Sequence, residues 1–448
     1  MDISSPDFRG RRVTVMGLGR FGGGVGVTRW LARQGARVVV SDQASAEELR
    51  ESILALAGLD LELHLGGHDE KDLAGCELLV VNPAVPFDSP YVAAARAAGV
   101  ATTTEINLFL SRCPAPVVGI TGSAGKSTTT AMAGAILAEG RPTHVGGNIG
   151  RSLLDELDDI RPDHVVVLEL SSFQLAYLPL LGRSPGVAVV TNLQPNHLDR
   201  HGTMDEYGSA KKNIFRFHGP EDVLVLNRDD PKTAIWADEA RGRVEFFSAA
   251  DGEPFELPLP GRHNQANAQA AWAAARALGA NRDHAQRALR HFQGLPHRLQ
   301  LVHEHNGVRC YNDSKCTTPE EGVVAVEAFE PRTAIVIVGG YDKKIDLEPY
   351  CRALALRAKA VVCTGQTGEA MARLVEQASG TGAIGGALPW VVRVQDFAAA
   401  VRAAHGLAGR GDVLLLAPGC ASYDQFKNYQ QRGDLFTDVV RKLCLCKP

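Results

Sequence analysis

The sequence predicts an α/β protein with three domains, each built around a mostly parallel sheet. The chain has 448 residues, which is too long for one ordinary hydrophobic core. Short continuous apolar runs alternate with helix-like stretches along it, as expected for buried parallel strands with crossover helices. Many of these runs end in glycine, asparagine or charged residues. Open α/β sheets bind ligands at the carboxyl ends of their strands, so each domain is expected to carry its own ligand site.

Composition narrows the class of protein. Hydrophobic residues make up 45% of the chain, charged residues 22%, and the formal net charge is -4, which argues against a general nucleic-acid binder. The N-terminus is polar and acidic, unlike a signal peptide, and no apolar run reaches the length of a membrane span. Nine cysteines without metal-like spacing suit a reducing compartment. We therefore expect a cytoplasmic protein without membrane insertion.

The first domain opens with a dinucleotide-binding pattern. A strand at residues 12–16 leads into Gly17-Leu18-Gly19 and Gly22, a helix is predicted from Gly23 to Gln34, and the next strand ends at Asp42. This predicts a Rossmann-like unit in which the glycine loop holds a diphosphate and Asp42 holds a ribose hydroxyl. The same loop serves any diphosphate attached to a ribose, so the base, nicotinamide or another, stays open.

The second domain carries a phosphate loop. The apolar strand at residues 116–121 runs into Gly122-Ser123-Ala124-Gly125-Lys126-Ser127-Thr128. Glycines let backbone amides face phosphates, Lys126 reaches the terminal phosphates and the Ser127 hydroxyl suits magnesium. The eight-residue pattern has a glycine where Ile120 stands, so the loop is a GxxGKS variant. It predicts a P-loop ATPase type of domain, the alternative being a glycine-rich packing turn.

Three polar residues of the second domain are candidates for chemistry, each with a plainer interpretation. Glu169 ends an apolar strand, where a carboxylate reaches phosphate-bound magnesium, or it serves as a helix cap or ion-pair partner. His197 lies in a ligand-rich loop, although isolated histidines are usually structural. Lys211 is one of two adjacent lysines on an amphipathic helix, and from that pattern alone it is expected on the solvated face.

The third domain is predicted to bind an anionic small molecule. Apolar strands at residues 333–338 and 412–416 are followed by the loops 339–344 and 418–428. These loops contain lysines, hydroxyl groups and amide side chains, which suit carboxylates. A diphosphate-ribose site, a triphosphate site and an anion site together indicate a ligase that activates one substrate with ATP.

Several motifs resemble the Mur ligases of bacterial cell-wall synthesis. They are Gly119–Thr128, Gly147-Asn148-Ile149-Gly150, His263-Asn264-Gln265-Ala266-Asn267 and Asn312-Asp313-Ser314-Lys315. Two further segments, residues 168–175 and 420–429, resemble the members that add D-glutamate. The resemblance runs from about Gly17 to Gly433 and implies a Rossmann-like first domain (1–103), a P-loop ATPase-type central domain (104–297) and a Rossmann-like third domain (298–448).

The resemblance also implies a role for particular residues. It places ATP on Gly122, Ser123, Ala124, Gly125, Lys126, Ser127, Thr128, Asn264, Asn267, Arg298 and Asp313. It places the UDP-sugar on Gly17, Leu18, Gly19, Asp42 and Asn148, and D-glutamate on Thr317, Lys343, Ser422 and Tyr429. It places two magnesium ions on Ser127, Glu169, His197 and Lys211, with Lys126, His197 and Lys211 as the catalytic residues. Lys211 matches the lysine that the family carries as a carbamate.

The implied activity joins D-glutamate to UDP-N-acetylmuramoyl-L-alanine with ATP through an acyl phosphate, and we expect a monomer. Two other classes remain as alternatives. A nicotinamide dehydrogenase would use the first loop but leave the phosphate loop without a role, and a nucleotide-binding regulator would use the phosphate loop alone. Within the ligases, a different amino-acid acceptor is the nearest alternative. The chain departs from the family pattern at Phe21, Asn82, Ala84, Asn196 and Tyr429.

Overall fold

The computed structural model describes residues 7–19, 22–86, 88–380 and 388–445. These residues form three sheets and divide into two compact units. One unit comprises Met1–Phe255 with Ala266–Leu289, and the other comprises Glu256–Gln265 with Arg290–Pro448. Across the described ranges no helix combines the length and apolarity needed to cross a membrane.

The first sheet has the strand order β3-β2-β1-β4-β5, with every pairing parallel. Its strands are β1 Arg12–Met16, β2 Arg37–Asp42, β3 Leu61–Leu65, β4 Leu78–Val81 and β5 Ala101–Thr103. The associated helices are α1 Gly23–Arg33, α2 Arg50–Leu54, α3 Pro90–Ala97 and α4 Glu105–Arg112, with a 3₁₀ helix at Glu70–Leu73. The strand order reverses at β1, so the glycine loop after β1 lies where such sheets bind ligands.

The second sheet has the order β11-β10-β9-β6-β8-β7 and is also parallel. Its strands are β6 Val117–Thr121, β7 Thr143–Gly147, β8 Val165–Glu169, β9 Val187–Val190, β10 Val223–Asn227 and β11 Arg243–Phe247. The helices along this part of the chain are α5 Lys126–Ala138, α6 Ser172–Ala176, α7 Leu198–His201, α8 Met204–Lys212, α9 Pro231–Ala234, α10 Arg262–Ala277 and α11 Arg282–Arg290. Short 3₁₀ helices lie at Leu153–Asp159, Leu178–Leu180 and Ile235–Glu239. β6 feeds the phosphate loop at the point where the order reverses.

The third sheet has the order β12-β13-β17-β14-β15-β16. Its strands are β12 Gln300–His305, β13 Val308–Asn312, β14 Ala334–Val338, β15 Ala360–Cys363, β16 Trp390–Arg393 and β17 Val413–Leu416. The helices are α12 Pro319–Glu327, α13 Glu348–Arg357, α14 Gly368–Gly380, α15 Phe397–Leu407 and α16 Tyr429–Leu445. The β12–β13 pair is antiparallel and forms an edge hairpin. The loops after β14 and β17 leave the sheet from neighbouring central strands.

The predicted α/β class and mostly parallel sheets are confirmed, and the three sheets match the three predicted domains. The first two sheets lie in one compact unit, because α1 and α4 of the first domain pack against the 3₁₀ segment after β7. Arg29 on α1 and Asp155 in that segment form an ion pair at 2.7 Å. Residues 256–265 and 290–297, predicted to be part of the central domain, group with the third sheet. The predicted domain bounds stay a prediction.

Candidate active site

The phosphate loop joins buried strand β6 to helix α5 through two glycines. Gly122 and Gly125 have positive φ angles of 149° and 81°. A Cβ on Gly122 would lie 1.8 Å from the Thr191 hydroxyl oxygen, and one on Gly125 would lie 2.4 Å from Asn267 Oδ1. Only glycine fits at these positions. The loop therefore closes tightly and leads directly into the helix start, where the first backbone amides lack intrahelical partners.

Asn192, at the end of β9, shapes the same loop. Its Oδ1 accepts hydrogen bonds from the backbone amides of Ser123 at 3.1 Å and Ala124 at 2.9 Å. Thr191 Oγ1 donates to the Ala124 carbonyl oxygen at 2.6 Å. Asn192 thus accepts hydrogen bonds from two of the amides predicted to face phosphates. The sequence singled out His197 in this loop and not Asn192.

Lys126 begins α5 and curls back over the loop. Its Nζ donates to the carbonyl oxygens of Gly122 at 3.0 Å and Ser123 at 3.1 Å. The side chain is half-buried. The ammonium group therefore lies against the loop backbone, and its role in binding phosphates stays a prediction.

Glu169 ends β8 and is 2% exposed. Its Oε1 accepts a hydrogen bond from the side-chain Nδ2 of Asn148 at 2.7 Å. The backbone amide of Asn148 donates to the Glu169 carbonyl oxygen at 2.8 Å. Its Oε2 is buried and has no hydrogen-bond partner. A buried carboxylate oxygen without a partner is costly unless a cation or donor arrives. Asn148, predicted on the sugar nucleotide, here orients Glu169.

Lys211 lies inside the unit, so the expectation of a solvated lysine pair is wrong for this residue. It is 1% exposed and donates from Nζ to the Gly122 carbonyl oxygen at 2.8 Å and to Thr121 Oγ1 at 3.4 Å. Burial lowers the pKa of Lys211 well below its usual value, the nearby Lys126 charge lowers it further, and Glu169 opposes both. Lys212 is the lysine that faces outward, where it pairs with Glu239.

His197 is the residue immediately before the short helix α7, and its backbone is left-handed, with φ of 55°. Burial lowers the pKa of His197, and the charges of Lys126 and Lys211 lower it further. Its ring meets Phe173 edge-on, with centroids 5.0 Å apart. The imidazole is therefore neutral near pH 7 and borders the two lysines.

A second histidine and two aromatic rings lie beside His197, and none of the three was predicted to belong to the site. His201 stacks on Phe173 at 5.2 Å and lies 5.3 Å from the Tyr207 ring. Tyr207 in turn meets Ser123 Oγ with its hydroxyl at 3.2 Å. The spacing in the sequence could have indicated His201, because it follows His197 by four residues and so lies on the same side of a helical turn.

The first loop has the predicted tight geometry. A Cβ on Gly17 would lie 2.7 Å from Asn82 Cβ, and Gly17 has φ of 90°. Asp42 accepts a backbone amide on each carboxylate oxygen, from Gly19 to Oδ2 at 3.0 Å and from Ala44 to Oδ1 at 2.8 Å, and its role on a ribose stays a prediction. Leu18 is fully buried. Residues 20 and 21, including the departure at Phe21, lie outside the described residues.

In the second unit, Asp313 is a buried carboxyl group near the charge of Arg298. Its Oδ1 accepts from the Leu299 amide at 3.1 Å. Burial raises the pKa of Asp313 to about 7, against the opposing charge of Arg298. The Arg298 Nε is buried and has no hydrogen-bond partner. Asn264, in the same unit, donates to the Pro260 carbonyl oxygen at 2.7 Å, whereas Asn267 belongs to the first unit, where it accepts from Thr129 Oγ1 at 3.3 Å.

Of the four predicted D-glutamate residues, two share a small cavity. Thr317 and Lys343 line it, together with Tyr341, Asp342, Ile345, Leu347, Thr367, Gly419 and Cys420. Ser422 follows on the adjoining loop and is 2% exposed. The Tyr429 ring lies 5.9 Å from Lys315 Nζ at the start of α16.

Arg432 links the loops that follow β13 and β17, and no role was predicted for it. It is 2% exposed and donates to Ser314 Oγ at 3.0 Å, to the Ser314 carbonyl oxygen at 2.8 Å and to the Cys420 carbonyl oxygen at 3.1 Å. Burial lowers its pKa to about 10. The sequence pattern could have predicted its burial, because Arg432 lies four and eight residues before Phe436 and Val440 on one face of α16. All three residues are buried.

Metal binding is not visible as a conventional cluster. Among the described residues, no group of three or more His, Cys, Asp and Glu side chains is arranged to hold a metal ion. The predicted set draws only Glu169 and His197 from those residue types. Within it, the partnerless Oε2 of Glu169 is the feature that fits a cation.

Comparison with known proteins gives a consistent family. Residues 11–104 match the "Mur ligase MurD-like, N-terminal domain", residues 120–253 the "Mur ligase middle domain" and residues 297–420 the "Mur ligase, glutamate ligase domain". The UDP-N-acetylmuramoylalanine–D-glutamate ligase of Symbiobacterium thermophilum is 41% identical, over 96% of this chain and 98% of its own. The enzyme of the same name from Roseiflexus sp. is 39% identical over 96% and 98%.

Solved structures agree on the fold. The UDP-N-acetylmuramate-alanine ligase of Thermotoga maritima superposes with a TM-score of 0.59 at 20% identity, covering 96% of this chain and 99% of that one. The MurF ligase of Thermotoga maritima, solved in complex with ADP, gives a TM-score of 0.58 at 16% identity, covering 99% and 100%. With relatives about 40% identical over nearly its full length, the chain belongs to the UDP-N-acetylmuramoylalanine–D-glutamate ligases of the Mur ligase family.

Proposed function

We propose that this protein joins D-glutamate to UDP-N-acetylmuramoyl-L-alanine in an ATP-dependent ligation that serves peptidoglycan precursor synthesis. The observation that carries the proposal is the meeting of Lys126, Lys211 and the Gly122 carbonyl at one glycine loop. Both lysines donate to that carbonyl oxygen, at 3.0 Å and 2.8 Å. The Lys126 charge at a helix start suits a polyphosphate, and Lys211 brings its nitrogen to the same loop.

ATP is proposed to bind with its phosphates on the loop from Gly122 to Thr128. The amides at the start of α5 and the Lys126 ammonium would neutralise phosphoryl charge. Asn267 contacts Thr129 on the same helix, which supports a place for it beside the nucleotide. Asn264, Arg298 and Asp313 are assigned to the nucleotide on family resemblance, and the buried Arg298 Nε without a partner supports a ligand there.

Magnesium, with two ions proposed, would be held by Ser127, Glu169, His197 and a modified Lys211. The partnerless buried Oε2 of Glu169 fits a cation, and a neutral His197 imidazole is the form that ligates metals. Bound magnesium supplies charge neutralisation for phosphoryl transfer. The protein's own contribution is to orient Glu169, through the 2.7 Å hydrogen bond from Asn148.

Lys211 is proposed to carry a carbamate. Only a neutral amine attacks carbon dioxide: the nitrogen–carbon bond forms, one proton leaves, and a carboxylate remains on the nitrogen. Burial and the Lys126 charge both favour the neutral amine of Lys211. The modification would turn this neutral amine into an anion that offsets the positive charge of Lys126.

The reaction is proposed to run in two steps. The alanyl carboxylate of the sugar nucleotide attacks the γ-phosphorus of ATP, an oxygen–phosphorus bond forms, and ADP leaves. The amine of D-glutamate then attacks the acyl carbon, expelling phosphate and losing a proton. The chain stabilises the first step electrostatically through Lys126 and the helix start, and it contributes positioning to both.

The UDP-sugar is proposed to bind at Gly17, Leu18, Gly19, Asp42 and Asn148. D-glutamate is proposed to bind near Thr317, Lys343, Ser422 and Tyr429. The shared cavity of Thr317 and Lys343 supports the acceptor assignment. We further propose that the protein acts as a monomer in the cytoplasm.

Phosphate release tests this function against its rivals. With ATP, magnesium, UDP-N-acetylmuramoyl-L-alanine and D-glutamate together, we expect one phosphate released per ligated product. Omission of either the UDP-sugar or D-glutamate should stop both phosphate release and product formation. Nucleotide binding without turnover under any combination would favour a regulator. Reduction of a nicotinamide cofactor would favour a dehydrogenase.

A further inference from the structure

A buried polar chain underlies the first loop and has no role in the function proposed above. Ser41 Oγ donates to Asp72 Oδ2 at 2.5 Å and lies 2.9 Å from His68 Nδ1. Ser41 is 2% exposed and Asp72 3%. His64 contacts the other oxygen of Asp72 through its Nδ1. The chain thus runs from His64 through Asp72 and Ser41 to His68.

The charge state of Asp72 sets the direction of the hydrogen bonds. Burial alone would raise the pKa of Asp72, but the hydrogen bonds from Ser41, the Asp69 amide and His64 outweigh burial and hold the pKa below its usual value. An ionised carboxylate only accepts hydrogen bonds, so Ser41 must give its single proton to Asp72. Ser41 Oγ then has only lone pairs left for His68.

His68 is therefore held in one tautomer. Its Nδ1 must carry the proton that Ser41 Oγ accepts. Burial lowers the pKa of His68, against the opposing charges of Asp42 and Asp72, so the ring is neutral near pH 7. In a neutral ring with the proton on Nδ1, Nε2 is a hydrogen-bond acceptor. The Tyr91 ring, edge-on at 5.2 Å, fixes the orientation of the imidazole.

This acceptor lies at the edge that carries the first loop. The Gly17 amide donates to the Ser41 carbonyl oxygen at 2.8 Å, and the Gly66 and Gly67 amides donate to the Asp42 carbonyl oxygen at 3.0 and 3.1 Å. His68 follows directly and is half-buried. Asp42, the acceptor expected from the sequence, already takes a backbone amide on each carboxylate oxygen.

We propose that His68 is a specificity-determining residue of the nucleotide site, whose Nε2 accepts a hydrogen bond from a donor of the uridine. This inference rests on the proposed function. The donors available are uracil N3–H and the ribose hydroxyls. If N3–H is the donor, cytidine is disfavoured, because its N3 is itself an acceptor and would face the Nε2 lone pair. Ser41 and Asp72 are positioning residues that act through His68.

A binding cycle tests the contact. Calorimetry would measure UDP-N-acetylmuramoyl-L-alanine and its 3-methyluridine, 2′-deoxy and 3′-deoxy forms on the wild type and on His68→Phe, which keeps a ring against Tyr91. We expect the variant to bind the parent about threefold to tenfold more weakly, as for one lost neutral hydrogen bond. The analogue that lacks the contacted donor should bind the wild type more weakly than the parent does, by a similar factor. The variant should bind that analogue and the parent equally, which identifies the donor.

Equal losses in wild type and variant for every analogue would overturn the inference. His68→Gln, which offers a carbonyl acceptor, should recover part of the affinity. A wild type that does not bind the UDP-sugar overturns the proposed function and this inference with it. Normal ligation by a wild type whose analogues show no coupling to His68 overturns this inference alone.

A spectroscopic measurement isolates the positioning role. In protein labelled with ¹⁵N-histidine, the His68 signals, assigned by their loss in His68→Phe, should show the Nδ1–H tautomer at neutral pH. In Ser41→Ala the ring loses its acceptor, so we expect the Nε2–H form to appear and UDP-sugar affinity to fall in parallel. A wild-type Nε2–H signal, or an unchanged tautomer in Ser41→Ala, would contradict the assignment.

Discussion

Lys211 places its Nζ 4.6 Å from the centre of the Tyr207 ring, one turn earlier on α8. Tyr207 is 1% exposed and touches the phosphate loop through Ser123. The lysine is thus enclosed between an aromatic face and the Gly122 carbonyl. A lysine buried in this way contributes nothing to the solvated surface, and the modification proposed for it can be tested.

We predict that Lys211→Ala loses ligation, because the buried anion proposed beside Glu169 is gone. Small carboxylates such as acetate should restore part of the rate by entering the space left by the side chain. Wild-type protein exchanged with ¹³C-bicarbonate should show a carbamate resonance that the variant lacks. Lys212→Ala, which changes the outward neighbour, is the matched control and should ligate normally. Full unassisted activity of Lys211→Ala would remove this residue from the site.

Lys126→Ala should abolish ATP-dependent ligation and leave the fold intact. Its ammonium donates to two carbonyl oxygens of its own loop, and the half-buried side chain contributes little to the core. Loss of a preorganised charge at a reacting phosphate commonly costs about 10²- to 10³-fold in rate. Steady-state ligation and circular dichroism would separate the two effects. Lys71→Ala, which removes a lysine whose side chain is 87% exposed, controls for the loss of one positive charge. Near-normal turnover of Lys126→Ala would contradict a role for Lys126 in binding phosphate.

The pH dependence of stability should depend on His263. Burial, with the charge of Arg298, lowers the pKa of His263 from 6.5 to about 4. As pH falls from about 6.5 towards 4, the unfolded chain takes up a proton that the folded protein refuses, so stability is lost at up to about 1.4 kcal/mol per pH unit. The Tm of the wild type should therefore fall relative to His263→Gln across this window.

His291→Gln, at an exposed histidine, provides the comparison for the pH series. Its Tm should track the wild type at every pH. Parallel curves for the wild type and His263→Gln between pH 6.5 and 4.5 would show that His263 titrates alike in the folded and unfolded chains.

Lys343→Ala should weaken D-glutamate and spare the UDP-sugar. Lys343 lines the cavity that also contains Thr317, and its charge suits an acceptor carboxylate. We expect the KM for D-glutamate to rise at least about tenfold, as for loss of a charge-assisted hydrogen bond. The KM for the UDP-sugar and ATP should not move. Lys344→Ala, beside it and paired with Asp342, tests whether the effect belongs to position 343; equal effects of the two variants would refute a specific contact.

Much of this architecture follows from local rules. Glycines at positions 17, 122 and 125 have backbone conformations or close contacts that other residues cannot tolerate, so the loops were predictable. The central strands were predictable because they are continuous or nearly continuous apolar runs, and β14 and β17 consist of apolar residues throughout. Strand ends fell within one or two residues of those expected.

Features that depend on tertiary packing were not predictable in the same way. The burial of Lys211 rather than Lys212 depends on how α8 is rotated against β6, and the two adjacent lysines give no sign of it. The hydrogen bond from the Gly19 amide to Asp42 depends on how the glycine loop, 23 residues earlier, folds back onto β2. The site assignments for the UDP-sugar and D-glutamate came from family resemblance and stay predictions.

The most direct test of the central claim is acceptor choice. Ligation to UDP-N-acetylmuramoyl-L-alanine would be measured with D-glutamate, L-glutamate, D-alanine and meso-diaminopimelate at matched concentrations. A site built to pair a side-chain carboxylate leaves polar groups unmatched when D-alanine enters, which can discriminate about 10⁴- to 10⁵-fold, and L-glutamate turns its amine away from the acyl carbon. We predict product with D-glutamate and almost none with the others. Preference for any of the other three would contradict the account.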